Sequence, residues 1–189
     1  MRPTLVIMLK VPRPGRVKTR LGRDIGMVPA AWWFRHQVRR LLRRIEDPRW
    51  DTVLAVAPDV EGLHSRCWSA QFPRWPQGRG HLGDRMVRMM RRAHGPVCVI
   101  GADVPGITRA HIARAFGELG RNDIVFGPAP DGGYWLFGAR LGSVLRPAML
   151  DGVRWSTPHA LDDTRAGFVG KRIALIDALA DVDTVDDLP

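Results

Sequence analysis

Two rhythms of apolar residues alternate along this chain. Thr4–Lys10, Asp51–Ala57, 96–101, 122–127, Tyr134–Ala139 and Arg172–Ile176 are short apolar runs closed by proline, glycine or charge, and they predict strands. Between them the spacing becomes helical. In 29–45, Phe34, Val38, Leu41, Leu42 and Ile45 form one stripe, with Arg35, Arg39, Arg40, Arg43 and Arg44 largely off it. Leu82, Met86, Met89, Met90 and Ala93 repeat that spacing over 82–93, and the methionines read as core filler. Shorter helices are predicted near 60–68, near 108–119 with Thr108 as N-cap, and near 158–169. Gln71–Gly83, rich in proline and glycine, reads as an extended loop. Strand-then-helix alternation, without repeat or linker, predicts one α/β domain over residues 1–189. Its sheet is mostly parallel, with helices on both faces.

Ligands of open α/β sheets bind at the C-terminal ends of the strands. The run 97–101 ends there as Gly101-Ala102-Asp103-Val104-Pro105-Gly106. A carboxylate at that edge, opposite a phosphate, suits a divalent cation. Asp103 could instead cap the next helix, but Thr108 is better placed for that. The first strand runs into a basic loop from Lys10 to Leu21, carrying Arg13, Arg16, Lys18 and Arg20. Pro12, Pro14 and Gly15 stiffen and shape it. It is neither a Walker loop nor a dinucleotide fingerprint. Asp131-Gly132-Gly133 reads either as a hairpin turn or as backbone that approaches a ligand closely. Asp181-Val182-Asp183-Thr184, placed at the end of the last strand, reads as a turn or cap, or as a second carboxylate for a cation. Trp155-Ser156-Thr157 by itself reads as a helix start capped by Ser156 or Thr157. The six histidines form no metal pair and no triad.

A net charge of +10 invites a nucleic-acid partner. The charge is lopsided, however: residues 1–92 sum to +13 and residues 93–189 to −3. A uniform polyanion surface does not need an acidic half, so a nucleic-acid role is disfavoured. The arginines of 35–44 read as a solvated face, with an anion-binding face as the alternative. Cys67 and Cys98 show no disulfide framework or metal spacing, and Cys98 reads as core. The apolar run Leu5–Leu9 is too short for a signal-peptide core or a membrane span, so a soluble cytoplasmic protein without membrane contact is expected. Trp32 and Trp33 at a helix start would suit a homodimer interface.

Taken together and in order, Lys-x-Pro-Arg-Pro-Gly-x-Val-Lys-Thr-Arg-Leu, Gly-x-Asp-x-Pro-Gly, Gly-Pro-x-x-Asp-Gly-Gly-Tyr, Trp-Ser-Thr and Asp-Val-Asp-Thr-x-x-Asp-Leu resemble a known family. It is that of bacterial glycosyltransferases of GT-A type, nucleotide-diphospho-sugar transferase-like proteins of which some are linked to arsenosugar biosynthesis. More distantly, the chain is similar to the 2-phospholactate and molybdenum-cofactor guanylyltransferases. The resemblance spans about Leu5 to Leu188 and implies a Rossmann-like GT-A domain. It implies that Lys10, Arg13, Gly15, Lys18 and Arg20, with Gln77, Gly78 and Gly80, border the nucleotide. Asp103 and Asp183 would hold Mg²⁺ or Mn²⁺. Asp131, Gly132, Gly133 and Tyr134, with Trp155 and Ser156, would face the acceptor, Asp103 and Asp131 being the catalytic carboxylates. The expected activity is metal-dependent glycosyl transfer from a nucleotide-sugar to a small acceptor. Nucleotidyl transfer with release of pyrophosphate is the alternative, and a non-enzymatic nucleotide or nucleic-acid binding module is the rival of another class.

Overall fold

The computed structural model describes residues 1–188, built on one seven-stranded sheet. In chain order the elements are β1 (Thr4–Lys10), α1 (Thr19–Ile25), α2 (Met27–Ile45), β2 (Asp51–Ala57), α3 (Asp59–His64), β3 (Arg74–Pro76), α4 (Leu82–Arg92), β4 (Val97–Gly101), α5 (Arg109–Glu118), β5 (Ile124–Pro128), β6 (Tyr134–Ala139), α6 (Ala160–Ala166) and β7 (Ile173–Leu175). The sheet order is β3-β2-β1-β4-β6-β5-β7. Every neighbouring pair is parallel except the two made by β6. This is an α/β fold with a mostly parallel sheet.

Strand alternation divides the core in two. Leu5, Ile7 and Leu9 of β1 face one cluster, with Leu54, Cys98 and Ile100, and α2 and α5 cover it. Val6 turns to the other, with Val99, Phe126 and Phe137, which α4 and the 145–168 segment cover. Phe126 stacks on Phe137 at 5.0 Å, a pair worth about 0.5–1.5 kcal/mol beyond its buried area. The predicted helices on both faces are therefore present. Burial pushes the Cys98 thiol far up, in keeping with an inert core residue.

Register delivers the functional edge. Met8 of β1 lies beside Gly101 of β4, so Lys10 and Asp103 leave the sheet at the same end. Because β6 alone runs backwards, β5 points the same way as β4, and the β5–β6 turn around Asp131 reaches that edge as well.

The structure corrects several boundaries. The basic loop ends at Lys18, and Thr19, Arg20 and Leu21 open α1, anchored by fully buried Leu21. The 71–83 loop contains β3, paired in parallel on β2. Helix α6 starts only at Ala160, and Thr157, instead of capping it, accepts the His159 amide and donates to the Arg154 carbonyl. Asp181 and Asp183 do not end a strand: β7 stops at Leu175, and an irregular segment carries them back across the edge. Thr108 does cap α5, its hydroxyl accepting the His111 amide. Trp33 packs against Leu21, Ala30 and Val182, whereas Trp32 is exposed, its ring tilted against His36 at 5.7 Å.

Candidate functional site

A cleft of about 780 Å³ opens at the C-terminal ends of β1 and β4. Its floor is Met8, Val99, Ile100 and Gly101, and its walls come from the basic loop, the start of α4, the β5–β6 turn, the Trp155–Thr157 segment and the terminal Asp181–Asp183 segment. At its centre is Lys18. Its Nζ lies 2.5 Å from Asp103 Oδ2, 3.0 Å from Asp183 Oδ1 and 3.7 Å from Asp181 Oδ2, and the side chain is 7% exposed. Arg20 Nη1 donates to the other Asp183 oxygen at 2.7 Å. Two cations thus face three carboxylates.

Local structure explains the convergence. Buried Val17 and Leu21 pin the chain on both sides of Lys18, whose backbone takes the left-handed conformation at φ 45°. For a non-glycine residue that conformation is uncommon and is held by its surroundings. On the opposite side, the Val182 amide donates to the Asp103 carbonyl and the Leu179 amide to Pro128, tying the terminal segment to the edge. The Asp187 carboxylate accepts the Asp183 and Thr184 amides and the Thr184 hydroxyl. Burial alone would push the Lys18 ammonium down, but Asp103 and Asp183 outweigh it and hold Lys18 above the usual lysine range. Burial, reinforced by the Asp103 charge, raises the Asp181 carboxyl.

Among the described residues, no group of three or more His, Cys, Asp or Glu is placed to hold an ion unaided. The three carboxylates are spaced around an ammonium instead. That spacing still fits Mg²⁺ or Mn²⁺, which commonly take one or two carboxylates and complete their shell with phosphate oxygens and water. Asp103 and Asp183, hard oxygen donors approaching one point, are such a pair.

The remaining expected site residues divide between the cleft and its surroundings. Lys10, Lys18, Arg20, Gln77, Asp131, Gly133, Tyr134, Trp155 and Ser156 line the cleft. Arg13 does not: it pairs with Glu61 at 2.5 Å beside a neighbouring hollow that also includes Lys10 and Arg16. Gly15, Gly78 and Gly80 form no part of the cleft lining. Gly78 instead donates its amide to Asp59. The buried Gln77 amide donates to the Leu9 and Ala55 carbonyls while its oxygen accepts from Arg85, so the side chain knits β1, β2 and α4 together. Gly132 packs against the Pro158 backbone with φ +83°, and a side chain there would collide with it. The ring of Tyr134 reaches the cleft, but its hydroxyl meets Thr164 of α6, and burial pushes the phenol up. Ser156 is exposed at φ 60° on a segment fastened by the double Arg154–Asp163 bond, and Arg154 holds the Asp163 carboxyl down at about 2.

Asp181 and Thr157 also line the cleft, without having been assigned from the sequence. Asp181 had a signal, since side chains two apart in extended chain share a side, so a role for Asp183 implies one for Asp181. Thr157 becomes visible only through the folded chain. The helix arginines Arg35, Arg39, Arg40, Arg43 and Arg44 lie away from the cleft. Arg39 bonds the Cys67 carbonyl and Arg44 the Pro105 carbonyl.

Comparison with known proteins bears on the family and the fold. The family described as "Uncharacterized protein conserved in bacteria (DUF2064)" matches residues 41–157, a span holding Asp103, Asp131 and Trp155 but not Lys18 or Asp183. A solved structure from Desulfovibrio desulfuricans G20, named "putative nucleotide-diphospho-sugar transferase", is 29% identical, with 99% of this chain aligned to 85% of that one at a TM-score of 0.88. Rv0371c of Mycobacterium tuberculosis H37Rv, in complex with manganese, aligns at 16% identity, a TM-score of 0.56 and 99% and 95% coverage. CMP:2-keto-3-deoxy-manno-octonic acid synthetase, complexed with CTP, aligns at 13% identity, a TM-score of 0.60 and 97% and 94% coverage. The last two show a shared fold. The chain matches no curated protein. Among the described residues, no helix is long and apolar enough to cross a membrane.

Proposed function

We propose that this chain, which belongs to the DUF2064 family of bacterial proteins, is a divalent-metal-dependent transferase that takes a nucleotide-sugar as donor. The observation that carries this reading is the convergence of Asp103 and Asp183 on Lys18 at the end of β4, within a cleft large enough for a small ligand. A fold shared with a CTP-bound synthetase and a manganese-bound protein supports it.

The chain's own groups divide the work. Lys10, Arg16, Lys18 and Arg20 supply positive charge for a diphosphate along one wall. Bound between Asp103 and Asp183, Mg²⁺ or Mn²⁺ would supply further charge neutralisation for the leaving diphosphate. Asp131 commits one carboxylate oxygen to the Gly133 amide at 2.9 Å and keeps the other to receive the acceptor hydroxyl's proton. Tyr134 and Trp155 give the acceptor an aromatic wall, with their rings 6.4 Å apart. Catalysis would rest on positioning and electrostatic stabilisation.

The second reading is nucleotidyl transfer, which the CTP-bound relative of the fold favours. Products separate the two: glycosyl transfer releases a nucleoside diphosphate or monophosphate, and nucleotidyl transfer from a triphosphate releases pyrophosphate. The test is a thermal-shift screen of nucleotides and nucleotide-sugars with and without Mn²⁺, followed by product analysis. A ligand at 100 times its dissociation constant stabilises by about 2.7 kcal/mol. Absence of any Mn²⁺-dependent shift across that set, with salt-steep oligonucleotide binding in its place, would sink the enzyme reading and favour a binding module.

A further inference from the structure

Lys18 stands where a metal ion would have to stand. Mg²⁺ sits about 2.0–2.1 Å from a carboxylate oxygen, while the Lys18 ammonium already lies 2.5 Å from Asp103 and 3.0 Å from Asp183. An ion shared by these two carboxylates and an ammonium in the same gap would be like charges in near contact. The three carboxylates also need a cation to stay together, since without one they repel. The side chain is flexible beyond its pinned backbone, and open cleft lies beside it towards Lys10 and Arg16.

We infer that Lys18 is an internal stand-in for the metal: its ammonium holds Asp103, Asp181 and Asp183 in place when no divalent ion is bound and must swing out for one to seat. The inference rests on reading the cleft as a metal and phosphate site. It gives Lys18 two successive partners, first the carboxylates and then the donor phosphates. Metal and phosphate ligand then favour each other, because each stabilises a protein in which the ammonium has left the carboxylates, and such coupling is reciprocal.

The chain has three lysines, Lys10, Lys18 and Lys171, so each can be followed separately. Amine acetylation of the wild-type protein, read peptide by peptide by mass spectrometry, should label Lys18 at least tenfold more slowly than exposed Lys10 or Lys171 in metal-free buffer. Saturating Mn²⁺ should bring Lys18 close to their rate. In parallel, Mn²⁺ binding followed by electron paramagnetic resonance should be at least tenfold tighter in Lys18→Met than in wild type. Labelling uses the wild-type chain, so it decides the matter even if the variant misfolds. Lys18 staying protected with Mn²⁺ bound, or equal Mn²⁺ affinity in a folded Lys18→Met, overturns the inference. If Mn²⁺-dependent nucleotide binding persists in that case, the transferase reading survives. Release of Lys18 by Mn²⁺ without binding of any nucleotide would keep the inference and remove the transferase. No Mn²⁺ binding to either protein would overturn both.

Discussion

The Val182 amide donates to the Asp103 carbonyl at 3.2 Å. This bond sets the register between the irregular terminal segment and the loop after β4. With Val182 buried, Asp181 and Asp183 both turn towards Lys18. A site assembled in this way makes its charges separable by mutation.

Asp103→Asn keeps the shape of the side chain and removes its charge. Mn²⁺-dependent affinity for a nucleoside diphosphate is expected to fall at least tenfold, about 1.4 kcal/mol. Circular dichroism should show an unchanged fold, because Asp103 belongs to no core cluster. Titration calorimetry with and without Mn²⁺ checks it, and undiminished metal-dependent binding would remove Asp103 from the metal site.

Asp181 offers a pH test. Its carboxyl is raised from 3.8 by burial and by Asp103. A raised carboxyl adds stability where it is protonated, below the unfolded value, and that contribution is lost as pH rises through the folded value. At pH 7 the ionised group therefore weakens the fold. Asp181→Asn is expected to melt above wild type at pH 7, with the gap closing as pH falls below 3.8. Identical melting curves at pH 7 would mean that Lys18 offsets Asp181 completely. A carboxylate that costs stability is expected where charges are arranged for a ligand.

Gly132 tests the β5–β6 turn. Its positive φ and its packing on Pro158 leave no room for a side chain. Gly132→Ala should lower stability by about 2 kcal/mol or more, from backbone strain and displaced chain together. A denaturant midpoint shift gives the number. A midpoint within experimental error of wild type would show that the turn yields easily and that Asp131 is less firmly placed than its bond to Gly133 suggests.

Arg40 and Arg43 test the charge asymmetry. Both are exposed on α2 and form no part of the cleft lining. The double variant Arg40→Glu, Arg43→Glu should leave nucleotide affinity within a few tenths of a kcal/mol, since exposed charges beyond about 8 Å are largely screened. A collapse of affinity, with a salt slope reduced by roughly 0.7–0.9 per lost contact, would point to a polyanion along this helix.

Much of this architecture is legible in the sequence, because buried parallel strands are written as short apolar runs and α2 and α4 as stripes. Element β3 escaped because three residues, one of them proline, carry no period, and its pairing on β2 is a tertiary event. Helix α1 escaped because five basic residues from Arg13 to Arg23 mask the burial of Leu21. Asp103 could be picked out because a strand ends just before it. The ring of carboxylates around Lys18 could not, since it depends on contacts up to 165 residues apart. The work of Gln77 was hidden too: its partners are backbone carbonyls, which leave no trace in the pattern of side chains.

Those distant contacts also divide the molecule mechanically. Strand β4 is central and paired on both flanks, whereas the segment bearing Asp181 and Asp183 is fastened to the edge by few backbone bonds, those of Leu179 and Val182 among them. Detachment of that segment alone would need far less free energy than global unfolding. It would leave sheet and core standing while Lys18 lost two of its three counter-charges. Hydrogen exchange would then report the Val182 amide opening well before those of β4. Ligand capacity would fade on warming before any spectroscopic sign of melting, and an ion that clamps Asp183 to Asp103 would close the breach.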